Sequence, residues 1–338
     1  MAVLVTGAAG FIGFHVARAL LARGETVIGI DSFTPYYDVS LKRARAGELA
    51  GHPRFRMVEA DFAVPGALAP LADAGIDRIV HLGAQPGVRH SITNPLAYLH
   101  ANLAGHLALL EFARHASGLA HMVYASSSSV YGANQRLPFA VEDRTDHPVS
   151  LYAATKRADE LMSETYAHLY RIPLTGLRFF TVYGPWGRPD MAVWSFTEAL
   201  FEARPIRLFA GGDLLRDFTY IDDIVAGVVA VLDRPPADDG AGKPGGSVAP
   251  HALYNIGNSR PERVRDLVAL LEAATGIAAR IEEAPMQPGD VPATFADVAA
   301  LERATGFRPA TPLADGIARW VAWYRDDWRA RRSGKGTG

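Results

Sequence analysis

Along the first half of the chain, short apolar runs alternate with longer stretches whose apolar positions recur at helical spacing. Ala2–Thr6 is such a run. Gly7, Gly10 and Gly13 follow it, and then Phe14, Val16, Ala17, Leu20 and Leu21 mark one face of a helix that Gly24 closes. Residues 26–30 supply a second apolar strand with Asp31 at its carboxyl end. Further strands are predicted at Phe55–Glu59, 78–82 and 121–125, separated by helical segments at 65–74 and 95–115. Alternation of this kind predicts a doubly wound parallel sheet, the α/β class. Residues 152–170 carry helical periodicity without an interior proline, and Ser150 stands where an N-cap belongs.

Beyond residue 188 the alternation loosens. Helices near 192–203 and 222–232 are interleaved with short strands at 205–209 and 253–256, which predicts a smaller C-terminal α/β substrate lobe. Residues 235–250, rich in Gly, Pro and Asp, are expected to be a surface loop. The expected division is 1–187 for the first lobe and 188–330 for the second, with the chain crossing between them and 331–338 a disordered tail.

The glycines point to a ligand. In a strand, turn and helix of this type, Gly7 allows the tight turn, Gly10 lets the backbone approach a pyrophosphate, and Gly13 lets helix and strand pack closely. The fold expected is therefore the Rossmann type, with exposed amides at a helix N-terminus facing a diphosphate. Asp31, eighteen residues past Gly13, is placed to accept hydrogen bonds from a ribose and to repel a 2′-phosphate, so NAD is expected rather than NADP. Asp61 and the turn Leu82, Gly83, Ala84, Gln85 also follow strands, at the edge where such sheets bind ligands; a helix cap and an ordinary turn would account for them equally by position.

Composition narrows the partners. Lys and Arg total 34 against 36 Asp and Glu, a formal net charge of −2, so no global basic field holds a nucleic acid or an anionic membrane. The absence of cysteine excludes disulfides, Cys-ligated metals and thiol nucleophiles, and the 11 histidines show no metal-ligand spacing, so no metal is expected. No basic segment precedes the first apolar run and no run is long enough to span a bilayer, which predicts a cytoplasmic protein.

Residues 126–132 read Ser-Ser-Ser-Ser-Val-Tyr-Gly after the fifth strand, and Tyr152-x-x-x-Lys156 follows. On a helix, Tyr152 and Lys156 are one turn apart on the same face, and an ammonium beside a phenol favours phenolate, making the tyrosine a candidate base for a hydroxyl proton. Taken singly, the serines would also serve as a polar loop and the Tyr-Lys pair as a solvated helix face. Their position behind a dinucleotide-type glycine turn gives the combination its meaning.

These residues resemble the extended short-chain dehydrogenase/reductase superfamily, within it the nucleotide-sugar 4-epimerases and dehydratases. The resemblance is strongest over residues 3–231. It is carried by Gly7-x-x-Gly10-x-x-Gly13, Ser126 to Gly132, Tyr152-x-x-x-Lys156 and Arg216-Asp-Phe-Thr-Tyr-Ile-Asp222-Asp223. Four further segments resemble the UDP-glucuronate 4-epimerases: Pro35-Tyr-Tyr-Asp-Val-Ser-Leu-Lys42, Gln85-Pro-Gly-Val-Arg89, His147-Pro-Val-Ser-Leu-Tyr152, and the run from Arg178 through Thr181 and Arg188 to Met191. The 4,6-dehydratases place acids just before the Val-Tyr-Gly, where this chain has Ser128 and Ser129, so epimerisation is expected over elimination.

The resemblance implies NAD-dependent 4-epimerisation of UDP-glucuronate to UDP-galacturonate through a transient 4-keto sugar. It makes Tyr152, Lys156 and Ser127 catalytic. It adds Phe11, Ile12, Lys42, Asp61, Phe62, Leu82, Ala84, Gln85 and Asn102 to the cofactor site. Arg89, Ser127, Ser128, Ser129, Thr181, Arg188 and Arg216 are implied to meet the UDP-sugar, Arg216 at the diphosphate; for Arg188 a loop-capping pair with Asp190, and for Arg216 a salt bridge with Asp213 or Asp217, are the plainer readings. A homodimer through the helices at 95–115 and 150–170 is also implied. The rival readings are a 4-epimerase of neutral UDP-hexoses and a non-catalytic dinucleotide sensor, the latter disfavoured because binding alone needs no phenolic base.

Overall fold

The computed structural model describes residues 1–286 and 291–332. Its centre is a parallel sheet of seven strands, of which β1 (Ala2–Thr6), β2 (Val27–Asp31), β3 (Phe55–Glu59), β4 (Ile76–His81), β5 (His121–Ser127) and β6 (Leu174–Phe179) come first in the chain. The seventh, His251–Ile256, lies outside β6, giving the order His251–Ile256, β6, β5, β4, β1, β2, β3. Every residue of β1, β2 and β6 is buried, as expected for strands covered by helices on both faces; β1 and β2 therefore read as apolar runs, while β6 also buries Thr175 against His121 and Arg178 against Glu160. Val3 pairs with Val27 on one side of β1 and with Arg78 on the other. The chain reverses its winding between β1 and β4, so the crevice at their carboxyl ends is the expected ligand site.

One face of the sheet buries Leu4, Ile79, Leu109, Leu110, Met122 and Tyr124. The other buries Val5, Phe14, Leu20, Ile224, Val228 and Ile256 in a core that continues without a break into Trp194, Trp320, Tyr324 and Trp328. The second lobe is thereby packed onto the first. Its strand Leu215–Tyr220 pairs in parallel with Thr181–Tyr183 and Ala293–Thr294 and antiparallel with Pro261–Arg263, while Ile206–Phe209 pairs with Ile281–Ala284.

Several elements depart from the sequence-based expectation. Residues 65–74 hold only the short turn Ala69–Leu71, because Pro65 and a Gly66 at φ 83° break the helix, although Leu68 and Leu71 still pack inward. Residues 95–115 are helical but not uniform: Pro95–Tyr98 and Gly105–His115 flank a wider π-type turn at Leu99–Ala104. The strand expected near 253–256 in the second lobe is an edge of the main sheet, and the helix Ile221–Leu232 packs against Phe11–Ala22 and β5 beside it. The chain thus returns to the first lobe after residue 188. Arg329–Arg332 is helical, so residues 331 and 332 are not part of a disordered tail, and the rest of that expectation, 333–338, lies outside the described residues.

Candidate active site

The first wall of the cleft follows from three glycines. Gly7 at φ 66° turns the chain after β1, and its carbonyl accepts from Gly10 at 2.8 Å. A Cβ at Gly13 would lie 2.1 Å from that carbonyl oxygen, so any side chain there would force the helix Phe11–Ala22 off the strand. Asp31, buried at the end of β2, accepts Ala9 N–H at 3.0 Å through one oxygen and Phe33 N–H at 2.8 Å through the other. Each oxygen keeps a lone pair for a ribose hydroxyl. Lys42 donates to the Thr34 carbonyl and hydroxyl, both at 2.9 Å, and burial lowers its pKa.

These groups line a cleft of about 530 Å³ together with Phe11, Ile12, Asp61, Phe62, Leu82, Ala84 and Gln85. Asp61 is held by Ala63 N–H at 2.9 Å and lies 2.8 Å from His100 Nε2. Asn102 does not reach the cleft. It is buried behind it, accepting Gln85 N–H at 2.8 Å and donating to the Gln85 carbonyl at 3.2 Å and to Thr155 Oγ1 at 3.0 Å, so it holds the wall at Gln85. The π-type turn presents it in that direction.

On the opposite side, β5 ends at Ser127, whose hydroxyl accepts Ser129 N–H and donates to Ser129 Oγ, both at 3.2 Å. Ser150 caps the helix Leu151–Tyr170 by accepting Ala153 N–H at 3.1 Å, which sets Tyr152 and Lys156 one turn apart on the face toward the cleft. The Lys156 ammonium is buried and donates to the Ala125 carbonyl and to Asp159 Oδ2, both at 3.0 Å.

The far end is lined by Ser128, Ser129, Thr181, Arg188 and Arg216. Arg188 is paired with Asp190, Nε to Oδ1 at 3.0 Å and a terminal nitrogen to Oδ2 at 2.5 Å, and Tyr36 donates to the same carboxylate at 2.9 Å. The plainer sequence reading of Arg188 therefore holds, and Arg188 also lines the cleft. Arg216 donates to the Leu215 carbonyl at 2.9 Å, while Asp213 pairs with Arg265 and Asp217 accepts N–H groups of Asn258, Ser259 and Ala296. Arg89 lies outside the cleft wall, exposed and stacked on Phe209.

Sequence reasoning missed the groups that hold this site. The Glu160 carboxylate, buried under β5, receives Ser126 Oγ at 2.6 Å and a two-point contact from Arg178 at 2.8 and 3.0 Å. Arg45, fully buried, donates to the Ala9, Trp186 and Gly187 carbonyls and to Tyr37 OH, tying the glycine turn to the segment that carries Arg188. Asp159 and Glu160 were detectable as acids three and four residues beyond Lys156, facing the apolar side of their helix. Arg45 had little local signal, since apart from Tyr37 its partners are backbone atoms 36 to 142 residues away.

Residues 3–257 match the model of the NAD dependent epimerase/dehydratase family. The chain belongs to that family. This epimerase-family chain is 46% identical over 338 residues to a probable UDP-glucuronate 4-epimerase of Rhizobium meliloti (strain 1021), covering 97% of this chain and 98% of the relative. It is also 46% identical to UDP-glucuronate 4-epimerase 1 of Arabidopsis thaliana over 96% of this chain and 76% of the plant protein. Among solved structures it resembles UDP-glucuronic acid 4-epimerase from Bacillus cereus in complex with UDP-glucuronic acid and NAD, at a TM-score of 0.85 and 32% identity over 96% of this chain and 99% of that one. NAD fits the site: the glycine cradle leaves room that a Cβ would fill, and the Asp31 carboxylate stands at the end of β2. Among the described residues, no group of three or more His, Asp or Glu is placed to hold a metal ion, and no helix is long and apolar enough to cross a membrane.

Proposed function

We propose that this protein is an NAD-dependent UDP-glucuronate 4-epimerase, interconverting UDP-glucuronate and UDP-galacturonate through a transient 4-keto sugar. The observation that carries the reading is the composition of one cleft. Ser127, Tyr152 and Lys156 share it with Ser128, Ser129, Thr181 and Arg188, and its carboxylates among the described residues, Asp31 and Asp61, belong to the cofactor wall. The sugar end therefore offers hydroxyls and a guanidinium to an anion and, among the described residues, no acid to expel a hydroxyl.

NAD, when bound, supplies a reversible two-electron oxidation at C4, and Gly7, Gly10, Gly13, Asp31 and Lys42 are the residues placed to hold it. Tyr152 takes the C4 hydroxyl proton and returns it after the sugar has turned, and Ser127 orients O4. Lys156 favours the phenolate. The carboxylate at C6 requires restraint, because a ketone at C4 makes the sugar a β-keto acid, which loses carbon dioxide when the C5–C6 bond aligns with the carbonyl π system. Ser128, Ser129, Thr181 and Arg188 hold the carboxylate out of that alignment. Arg216 binds the diphosphate, where a guanidinium suits two phosphate oxygens.

The test is incubation with UDP-glucuronate without added NAD, followed by separation of the products. UDP-galacturonate is expected, since the redox cycle closes on itself; turnover of UDP-glucose with none of UDP-glucuronate overturns the reading. A homodimer is part of the same proposal, supported by exposed Leu96, Leu99 and Leu161 on the two helical segments beside the cleft. Light scattering is expected to give twice the chain mass for the parent and the single chain mass for Leu161→Glu. With NAD and a nucleotide sugar as ligands, the cytoplasm is the proposed location.

A further inference from the structure

Behind the Tyr152 and Lys156 pair lies a carboxylate that the proposed chemistry does not use. Asp159 has no exposed surface, and its Oδ2 accepts from the Lys156 ammonium at 3.0 Å. Its Oδ1 is buried without a hydrogen-bond partner, so the side chain is not held by a wider network of its own. An ammonium has three N–H donors, and the Ala125 carbonyl and Asp159 account for two. One is left for the cleft. The position of the lysine head is thus set by a strand carbonyl on one side and a carboxylate of its own helix on the other.

The carboxylate also carries charge. Burial pushes Asp159 up to about 6 against the pull of Lys156, so above that pH the site behind Tyr152 holds a cation and an anion together. Few other charges face it. From its own helix come Lys156 and Glu160, and Glu160 is matched by Arg157 and Arg178. His106 on Gly105–His115 and His81 on β4 are kept neutral by burial, and Tyr124 on β5 is driven far above its ordinary range by the same cause. No second anion on these elements substitutes for Asp159.

We propose that Asp159 is the positioning residue of Lys156 and, by opposing its charge, sets how readily Tyr152 becomes phenolate. The proposal rests on the reading of Tyr152 and Lys156 as the acid-base pair, and its first test needs no sugar. In the NAD-loaded protein, the phenolate absorbance of Tyr152 is isolated as the difference between each protein and its Tyr152→Phe counterpart, and titrated in the parent and in Asp159→Asn. Asparagine keeps an oxygen for the ammonium and removes the negative charge. The Tyr152 titration is expected to move to lower pH by at least about half a unit, roughly a threefold change in proton affinity. Coincident titrations overturn the charge role.

The positioning role is read from turnover of UDP-glucuronate. Asp159→Ala, which removes the acceptor as well, is expected to lower kcat at least about tenfold below Asp159→Asn with KM within about twofold, because the ammonium loses its tether while the sugar contacts stay. Equal kcat in the two variants overturns it. An unaltered protein that ignores UDP-glucuronate overturns the substrate reading instead, and leaves the phenolate titration as it stands.

Discussion

Tyr152 can be isolated chemically from the groups around it. The ring packs edge-on against Tyr98 with centroids 6.1 Å apart, a contact that phenylalanine preserves. Tyr152→Phe is therefore expected to bind NAD and UDP-glucuronate as the parent does and to lose about a hundred- to ten-thousandfold in kcat, measured by product formation beside calorimetric binding. Ser128 and Ser129 divide the anionic from the neutral substrate. Each hydrogen bond to a charged group contributes about 1.5 to 3 kcal/mol, so removing both hydroxyls in Ser128→Ala, Ser129→Ala is expected to weaken UDP-glucuronate binding by at least about tenfold more than UDP-glucose binding. Some UDP-4-keto-pentose is expected to appear as the carboxylate loses its restraint. Equal binding of both sugars, with epimerisation intact, removes the carboxylate from this end of the cleft.

At the scale of elements, the helix Leu151–Tyr170 owes its placement to Glu160. Arg178 reaches it from β6 with two hydrogen bonds, Ser126 reaches it from β5, and the carboxylate has no exposed surface, so the arginine and the ion pair hold it well below what burial alone would dictate. Glu160→Gln leaves Arg178 buried and unbalanced. A loss of about 3 to 5 kcal/mol is expected, read as a lower urea midpoint with an unchanged slope. Elements of this kind also show what the amino-acid sequence can reveal. β1, the glycine turn and β2 were legible because strand, turn and helix each leave a local mark within neighbouring residues, and Phe55–Glu59 was legible for the same reason. The strand His251–Ile256 was legible as a strand but not as the partner of β6, because its register with residues 174–179 is a contact between distant segments. In the site, Gly7, Gly10, Gly13, Asp31, Tyr152 and Lys156 followed from motif and spacing, while Lys42, Phe62, Thr181 and Arg188 came only with the family resemblance. Asn102 was misplaced by one layer, since facing the ligand and supporting the residue that faces it use the same amide.

Across the whole molecule, buried histidines set how stability answers to acid. His15 is hydrogen-bonded to the Pro185 carbonyl, His81 to Thr6, and His121 to the Leu232 carbonyl and Thr175, joining the sheet to its helices and to the second lobe. Burial holds the first two down to about 3 and His121 to about 4. In the unfolded chain each takes a proton near pH 6.5, so the unfolded state binds more protons below that value. Their contribution is complete above pH 6.5 and is lost as the pH falls toward 4 to 3, at up to about 1.4 kcal/mol per unit for each histidine. Urea midpoints are expected to stay level from pH 7.5 to about 6.5 and to fall from there to pH 5, and His121→Asn is expected to flatten that fall.

The buried guanidinium of Arg45 bears on how such enzymes can diversify. It joins the two halves of the cleft, yet the atoms it grips at Ala9, Trp186 and Gly187 are main-chain oxygens. Main-chain oxygens are present whatever side chains occupy those positions. The hydrogen bonds that anchor the segment leading to Arg188 are therefore indifferent to its side chains, and grafting that segment from a relative with another sugar preference demands Arg45 and Tyr37 in the recipient, a ring that fills the place of Trp186 against Phe14 and Trp323, and a glycine at 187. The joint is a socket that accepts interchangeable loops, and new selectivity can be built on it while the cofactor half stays as it is.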